Sequence, residues 1–181
     1  MGRSASKSTI PLREAGSMMD RQTQKIVLEP LHEGHRPFVI SLASDERVTR
    51  YIGDGSVWDD QTIGERIQLA LSALPLATVG ATRWFVAIAA GHPAGLVVAT
   101  RKPEGVELGY WVSPGYWGQG IAGAMVNNAI GLIPELFQVR RLIARVDPAN
   151  VASAKLLARR GFTGRSSTDG LDHYELKLTS A

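Results

Sequence analysis

One stretch of the sequence decides the fold: ELGYWVSPGYWGQGIAG, residues 107–123. Its first part is rich in aromatic and β-branched residues, which favour a strand, and it ends at the turn signal Ser113-Pro114-Gly115. Its second part contains Gly118, Gly120 and Gly123 and leads into apolar residues at helical spacing. The stretch therefore predicts a strand that continues through a glycine-rich turn into a helix.

The three glycines make this turn a candidate anion site. Glycine lets the backbone approach a ligand closely, and the first turn of a helix offers unpaired N–H groups and the positive end of the helix dipole, which suits a pyrophosphate. The G-x-G-x-x-G spacing also matches the dinucleotide fingerprint, but that motif follows the first strand of a parallel unit, whereas this turn follows an antiparallel meander. No Gly-Lys-Ser/Thr follows, which excludes a Walker loop. A simple helix-packing turn remains the alternative.

Periodicity elsewhere predicts an α+β domain with one mixed sheet. The predicted strands cover residues 25–30, 83–90, 94–100, 106–112, 141–146, 162–167 and 172–178. The predicted helical segments cover residues 32–43, a short turn at 45–52, a helix from Asp59 or Asp60 to residue 73, and residues 119–136 and 151–160. Asn150 is the predicted N-cap of the last helix, Gly161 is its predicted C-terminal stop, and Gly91-His92-Pro93 is a predicted turn between strands.

Composition and charge exclude several classes of protein. Residues 1–25 hold five basic and two acidic residues, which accounts for the whole net charge of +3. The remaining body is neutral, which disfavours a dedicated nucleic-acid binder, although a basic-tail adaptor stays open. No apolar run approaches the roughly 20 residues that span a bilayer. The absence of cysteine excludes disulfides and a cysteine nucleophile and fits a cytoplasmic protein. We predict a disordered basic extension over residues 1–24 and a domain over residues 25–179.

A second motif follows the first at a specific spacing: NVASAKLLARRGF, residues 150–162. Together the two motifs resemble the GNAT superfamily of N-acetyltransferases, and within it the RimJ/RimL-like type, which acetylates ribosomal proteins. The resemblance covers residues 25–178. It implies a mixed, mostly antiparallel sheet of about seven strands, flanked by about four helices and splayed between the fourth and fifth strands. Trp117 stands where the wider superfamily has Arg or Gln, a departure that the RimJ/RimL-like type shares.

The resemblance also implies acetyl-CoA as co-substrate and a set of residues that bind it. The pantetheine arm is expected along the backbone of Tyr110, Trp111 and Val112, with Asn150 against its amide and Ser153 close to the thioester sulfur. The pyrophosphate is expected on backbone N–H groups of the glycine-rich turn: Trp117, Gly118, Gln119, Gly120, Ile121, Ala122 and Gly123.

Acetyl transfer to an amine requires a base for the ammonium and benefits from an acid for the leaving thiolate. Glu107 is the predicted base, since the family often has a carboxylate at this point of its central strand; an exposed structural glutamate is the alternative. Many members have a tyrosine acid seven residues after Asn150, but here that position is Leu157. We predict Ser153 in its place, with a plain first-turn residue as the alternative. Without cysteine, direct attack in a ternary complex is expected.

The acceptor stays open at this stage. The subfamily favours a protein N-terminus, while an amino acid, a polyamine or an aminoglycoside is the small-molecule alternative, and a non-catalytic acyl-CoA-binding module is a third possibility. Acidic residues in and near one loop could attract a cationic amine: Asp54, Asp59, Asp60 and Glu65. The four histidines show no metal-ligand spacing, so no metal site is predicted. Homodimers are common in the subfamily.

Overall fold

The computed structural model describes residues 25–178, which form seven strands and five α-helices. The strands are β1 Ile26–Pro30, β2 Thr82–Ala89, β3 His92–Lys102, β4 Gly105–Val112, β5 Arg141–Val146, β6 Thr163–Thr168 and β7 Leu171–Lys177. The helices are α1 Arg36–Ala43, α2 Glu46–Thr49, α3 Asp60–Leu71, α4 Ile121–Phe137 and α5 Val151–Arg159. The predicted extension over residues 1–24 lies outside the described residues, as does Thr179 at the predicted end of the domain.

All seven strands belong to one sheet with the order β1-β2-β3-β4-β5-β7-β6. Only β4 and β5 are parallel, and they pair at just two positions, Val106 with Leu142 and Glu107 with Ile143. Gly105 permits this close approach, because a Cβ there would collide with the carbonyl oxygen of Arg141. Beyond Glu107 the two strands diverge, which confirms the predicted mixed sheet and its splay between the fourth and fifth strands.

Alternating side chains of β4 face two separate hydrophobic cores. Val106 and Leu108 pack with α4 and the inner residues of β5. Trp111 points to the other face, where it joins Trp84 and the buried residues of α1 and α3. The sheet is thus covered on one face by α4 and α5 and on the other by α1 to α3, and β4 contributes to both layers.

Local signals account well for the last helix. The side chain of Asn150 accepts a hydrogen bond from the N–H of Ser153, as an N-cap does. At the other end, Gly161 has a φ of +84°, its N–H donates to the carbonyl of Ala158, and the N–H of Phe162 donates to the carbonyl of Leu157. These two bonds form a Schellman motif, so both predicted ends of this helix are confirmed.

Most predicted boundaries differ from the structure by one to three residues, and three of the differences have a clear local reason. The first helix begins at Arg36, after a single 3-10 turn over residues 33–35, instead of at residue 32. The turn between β2 and β3 consists of Ala90 and Gly91, both with positive φ as a two-residue hairpin turn requires, so His92 already belongs to β3. The helix predicted from Gln119 begins at Ile121, because Gly120 adopts a φ of +79° and becomes the N-cap.

Among the helices of residues 25–178, none combines the length and apolar character needed to cross a membrane.

Candidate active site

A cleft of about 710 Å³ opens between the diverging end of β4, the start of α4 and the start of α5. It brings together almost all of the residues that the sequence motifs single out as cofactor-binding. Those lining the cleft are Tyr110, Trp111, Val112, Trp117, Gly118, Gly120, Ile121, Ala122, Gly123, Asn150 and Ser153. The strand splay therefore provides a single open site for residues that lie up to 43 positions apart in the chain.

The glycine-rich turn has the backbone conformation of an anion site. Gly118 and Gly120 have φ values of +73° and +79°, and an added Cβ at either position would meet no atom within 4 Å. Within residues 25–178, no side chain caps the N-terminus of α4. The first-turn N–H groups of this helix are consequently available on the cleft side, together with the positive end of a 17-residue helix.

Arg160 adds a positive charge beside this turn. Its Nη2 lies 2.5 Å from the position that a Cβ of Gly123 would occupy, so glycine at this site makes room for the guanidinium. Its Nε is buried and has no hydrogen-bond partner among the described residues. Lys155 and Arg159 of α5 line the same cleft. A helix N-terminus faced by a guanidinium with a free donor is well suited to phosphate oxygens.

A pair of hydroxyl groups lies in the cleft opposite the turn. The Tyr110 Oη and the Ser153 Oγ are 2.6 Å apart. Burial raises the pKa of the Tyr110 phenol, with the hydrogen bond to Ser153 opposing it, so the phenol keeps its proton at neutral pH. Leu157, at the position of the usual tyrosine acid, is 1% exposed and belongs to the core. The sequence motifs predicted a role only for the backbone of Tyr110. They did not predict the Tyr110–Ser153 hydroxyl pair, because it depends on a contact between β4 and α5.

Three other predicted residues have structural contacts that define their part in the site. The Trp117 indole Nε1 donates to the carbonyl oxygen of Val112 over 2.7 Å, which ties the turn to the end of β4. The Gln119 side chain donates to the carbonyl of Gly115 and does not line the cleft. Trp111 is 7% exposed, and its ring makes an edge-to-face contact with Trp58 at 4.9 Å between the ring centroids.

Glu107 lies outside the cleft, on the face of β4 opposite Tyr110. Its Oε1 accepts from the Arg145 guanidinium at 2.8 and 3.0 Å, and its Oε2 lies 3.2 Å from the Lys102 ammonium. The carboxylate lines a second, smaller depression of about 270 Å³ with Ile143 and His173. It occupies the last β4 position that pairs with β5, at the edge of the splay. Its role as the base stays a prediction.

The acidic loop residues have local partners. Asp54 accepts from the N–H and the hydroxyl of Ser56, and the side-chain bond, followed by the backbone bond, holds the pKa of its carboxyl below the usual value. Asp59 is the N-cap of α3 and accepts from the Thr62 N–H; hydrogen bonding from the Thr62 side chain, followed by this backbone bond, lowers the pKa of its carboxyl. The cleft wall near α2 instead carries two arginines: Arg47, which is paired with the Asp45 carboxylate at 2.6 Å, and Arg50, the C-cap of α2.

Comparisons with known proteins agree with this geometry. Residues 25–163 match the family model described as acetyltransferase (GNAT) domain. The chain is 28% identical over 153 residues to an FsC-acetyl coenzyme A-N(2)-transacetylase of Aspergillus fumigatus, a match that covers 78% of this chain but only 63% of that protein.

Solved structures with the same fold include three named acetyltransferases. A ribosomal L7/L12 alpha-N-protein acetyltransferase, RimL, in complex with coenzyme A has a TM-score of 0.71 at 16% identity, over 88% of this chain and 97% of that one. A spermidine N-acetyltransferase from Vibrio cholerae in complex with CoA and spermine has a TM-score of 0.69 at 16% identity, over 83% of this chain and 92% of that one. An acetyltransferase from Agrobacterium tumefaciens has a TM-score of 0.70 at 21% identity, over 98% of this chain and 100% of that one.

Proposed function

The chain belongs to the acetyltransferase (GNAT) domain family, and on that premise we propose that it transfers the acetyl group of acetyl-CoA to a primary amine. One observation carries the proposal: the uncapped N-terminus of α4, entered through two glycines of positive φ, opens beside Arg160 onto the cleft of the splay. Acetyl-CoA, when bound, supplies the acetyl group as a thioester. The family match, the cleft and the chemistry of its lining all support this substrate.

We assign the binding of CoA to the cleft residues that the motifs predict. The backbone N–H groups of Gly118 to Gly123 and the Arg160 guanidinium would hold the pyrophosphate, because they combine donors with positive charge. The backbone of Tyr110 to Val112 and the Asn150 side chain would hold the pantetheine arm. The chain has no cysteine that could carry an acyl group, so the proposed transfer is a direct attack by the amine.

Ser153 is the proposed acid, and Tyr110 is its positioning partner. The short contact between their hydroxyl groups fixes the orientation of the serine side chain in the cleft. The protonated phenol can donate to Ser153 while the serine donates to a departing thiolate. Such a relay would replace the tyrosine that is absent at Leu157.

Replacing Ser153 by alanine is predicted to lower kcat about tenfold to a hundredfold while the KM for acetyl-CoA changes little, since general acid catalysis contributes on this scale or above. Tyr110→Phe should also lower kcat, but by a smaller factor, because it removes only the hydroxyl that positions Ser153. Steady-state kinetics at a saturating amine concentration measures both. Ser153→Thr keeps a hydroxyl and serves as the control. Full activity in Ser153→Ala would remove the acid role, and the Asn150 cap would be unaffected because it uses a backbone N–H.

We propose a protein N-terminus as the acceptor, with a small amine as the alternative. The RimJ/RimL-like motifs support the first, and RimL and the spermidine acetyltransferase both share the fold. The charges near the cleft also bear on this choice. Asp54 and Asp59 do not line the cleft, whereas Arg50 does and would repel a polycation; Arg47 beside it is paired with the Asp45 carboxylate. These features favour an acceptor with a single amine over a polyamine.

A thiol-release assay over a panel of amines tests the function. The panel contains a peptide with a free N-terminus, the same peptide with a blocked N-terminus, free amino acids, spermidine and an aminoglycoside. The absence of cysteine removes any background thiol from the protein itself. We expect the free peptide to give the highest kcat/KM and the blocked peptide none. CoA binding without thiol release from any amine would instead indicate a non-catalytic acyl-CoA-binding module.

A further inference from the structure

A cluster of three potential metal ligands lies at the junction of β1 and α1, outside the cleft lining. Glu29 is on the last part of β1, His32 is the N-cap of the 3-10 turn before α1, and His35 is the last residue of that turn. One carboxylate oxygen and one nitrogen from each ring lie within 4.8 Å of one another. The histidine spacing alone gave no reason to predict this site, because Glu29 completes it from the preceding strand.

The backbone holds these three residues in a defined arrangement. The N–H of Leu31 donates to the carbonyl of Trp84, which fixes the connection between Glu29 and His32. The N–H of His35 donates to the carbonyl of His32, which closes the 3-10 turn and brings both rings to one side, with centroids 3.7 Å apart. The Glu29 Oε2 lies 3.8 Å from the His35 Nε2. Ligands held by neighbouring fixed backbone need little reorganisation to meet one ion.

His35 has an unusual environment for a histidine. It is only 7% exposed, and its Nδ1 is buried without a hydrogen-bond partner among residues 25–178. Burial, followed by the neighbouring His32, lowers the pKa of the ring, while Glu29 opposes the shift. The nitrogen of this buried ring that faces Glu29 is Nε2, which lies 3.8 Å from the Glu29 Oε2, so Nε2 is the atom of His35 that would ligate an ion shared with Glu29.

We propose that Glu29, His32 and His35 bind a divalent transition-metal ion, with Zn²⁺ as the ion best suited to this ligand set. Two imidazoles and one carboxylate are an established zinc ligand combination, with water as the fourth ligand. Glu29 and His32 are exposed and can move the short distance needed to close on the ion. The His32 Nδ1 accepts a hydrogen bond from the Gly34 N–H. Ligation through Nε2 would move the ring proton to Nδ1, so His32 would lose that hydrogen bond and gain the bond to the metal.

The proposed ion would link the end of β1 to the start of α1. Helix α1 packs against α2 and α3, and α2 with its C-cap residue supplies Arg47 and Arg50 to one wall of the cleft. Zinc bound only by the folded state would stabilise this layer. The proposal is independent of the acetyltransferase function, since none of its three ligands lines the cleft.

Zinc titration of protein without a polyhistidine tag tests the site. Isothermal calorimetry should find one Zn²⁺ per chain, and Zn²⁺ should raise the Tm of the protein. Glu29→Gln and His32→Ala, both at exposed positions, should each lower the affinity at least about tenfold, since even outer-shell changes have effects of this size. His92→Ala, which removes an exposed histidine elsewhere, should leave the affinity unchanged.

Co²⁺ provides a spectroscopic check, because visible absorption bands should appear in the wild type and disappear in Glu29→Gln. His35→Gln should weaken zinc binding most, but His35 is buried and its replacement could unfold the protein. The variants at the exposed positions, Glu29→Gln and His32→Ala, therefore decide the outcome. Absence of saturable zinc binding would overturn the proposal, and so would equal affinity in Glu29→Gln, His32→Ala and the wild type.

Discussion

Replacing Gly120 by valine is expected to lower kcat/KM for acetyl-CoA about 100-fold, which corresponds to about 2.7 kcal/mol. Gly120 has a φ of +79°, a conformation that a β-branched residue adopts only under strain. The space around its missing Cβ is empty of protein atoms, so the new side chain would project into the space proposed for the pyrophosphate. Loss of one charge-assisted backbone hydrogen bond, at about 1.5–3 kcal/mol, accounts for an effect of this size.

Gly80→Val provides the matched control. Gly80 has a φ of +92°, and a Cβ there would also meet no atom within 4 Å, but it lies in the exposed loop before β2 and away from the cleft lining. The two variants should lose similar thermal stability, whereas only Gly120→Val should lose acetyl-CoA affinity. Calorimetry with CoA and steady-state kinetics measure the difference. Equal kinetics in both variants would show that the turn at Gly120 does not bind the co-substrate.

The features that the sequence predicted well are those encoded by neighbouring residues. The glycine-rich turn, the Asn150 cap and the Gly161 stop each depend on the conformation of a few consecutive residues, and the structure has all three. The strand splay followed from the resemblance to a family. The close approach of β4 and β5 just before the splay depends on a contact between distant residues, Gly105 against the Arg141 carbonyl, which no local pattern reveals.

Contacts between distant elements account for what the sequence did not predict. The Tyr110–Ser153 hydroxyl pair joins β4 to α5, and the Glu107–Arg145 pair joins β4 to β5 across the splay. Alternation along β4 predicts that Glu107 and Tyr110 face opposite sides, but it does not predict which cation meets the carboxylate. The partners of both residues depend on which side chains the sheet brings opposite them.

The placement of Glu107 makes the splay itself part of the proposed mechanism. Tyr110 and Ser153 lie on the cleft side of β4, and Glu107 lies on the other side at the last position that pairs with β5. Beyond that position the strands separate, and the cleft in the gap is lined from both faces of the sheet, by Val48 and Trp111 on one and by Ile121 on the other. A base at the edge of the gap could take a proton from an amine that approaches from the second face, and the acetyl group would be presented from the first.

Glu107→Gln is predicted to lower kcat about 100-fold or more, while the Kd for CoA stays within about twofold, because general bases contribute about 10²–10⁴-fold. Glutamine keeps the size of the side chain and removes its ability to accept a proton. Single-turnover measurements with saturating acetyl-CoA and amine would report the chemical step, and calorimetry would report CoA affinity. Unchanged turnover would reject Glu107 as the base.

Because Glu107 forms ion pairs, a loss of kcat in Glu107→Gln could also have a structural cause. A variant of Arg145 distinguishes the catalytic explanation from the structural one. Arg145→Gln breaks the ion pair across the splay but leaves the carboxylate in place and able to accept a proton. If Glu107 acts as a base, Glu107→Gln should lose far more activity than Arg145→Gln. If the pair only braces β4 against β5, both variants should lose activity and stability alike, and the double variant should be no worse than either. A base released from its guanidinium partner should stay active, which makes the activity of Arg145→Gln the decisive measurement.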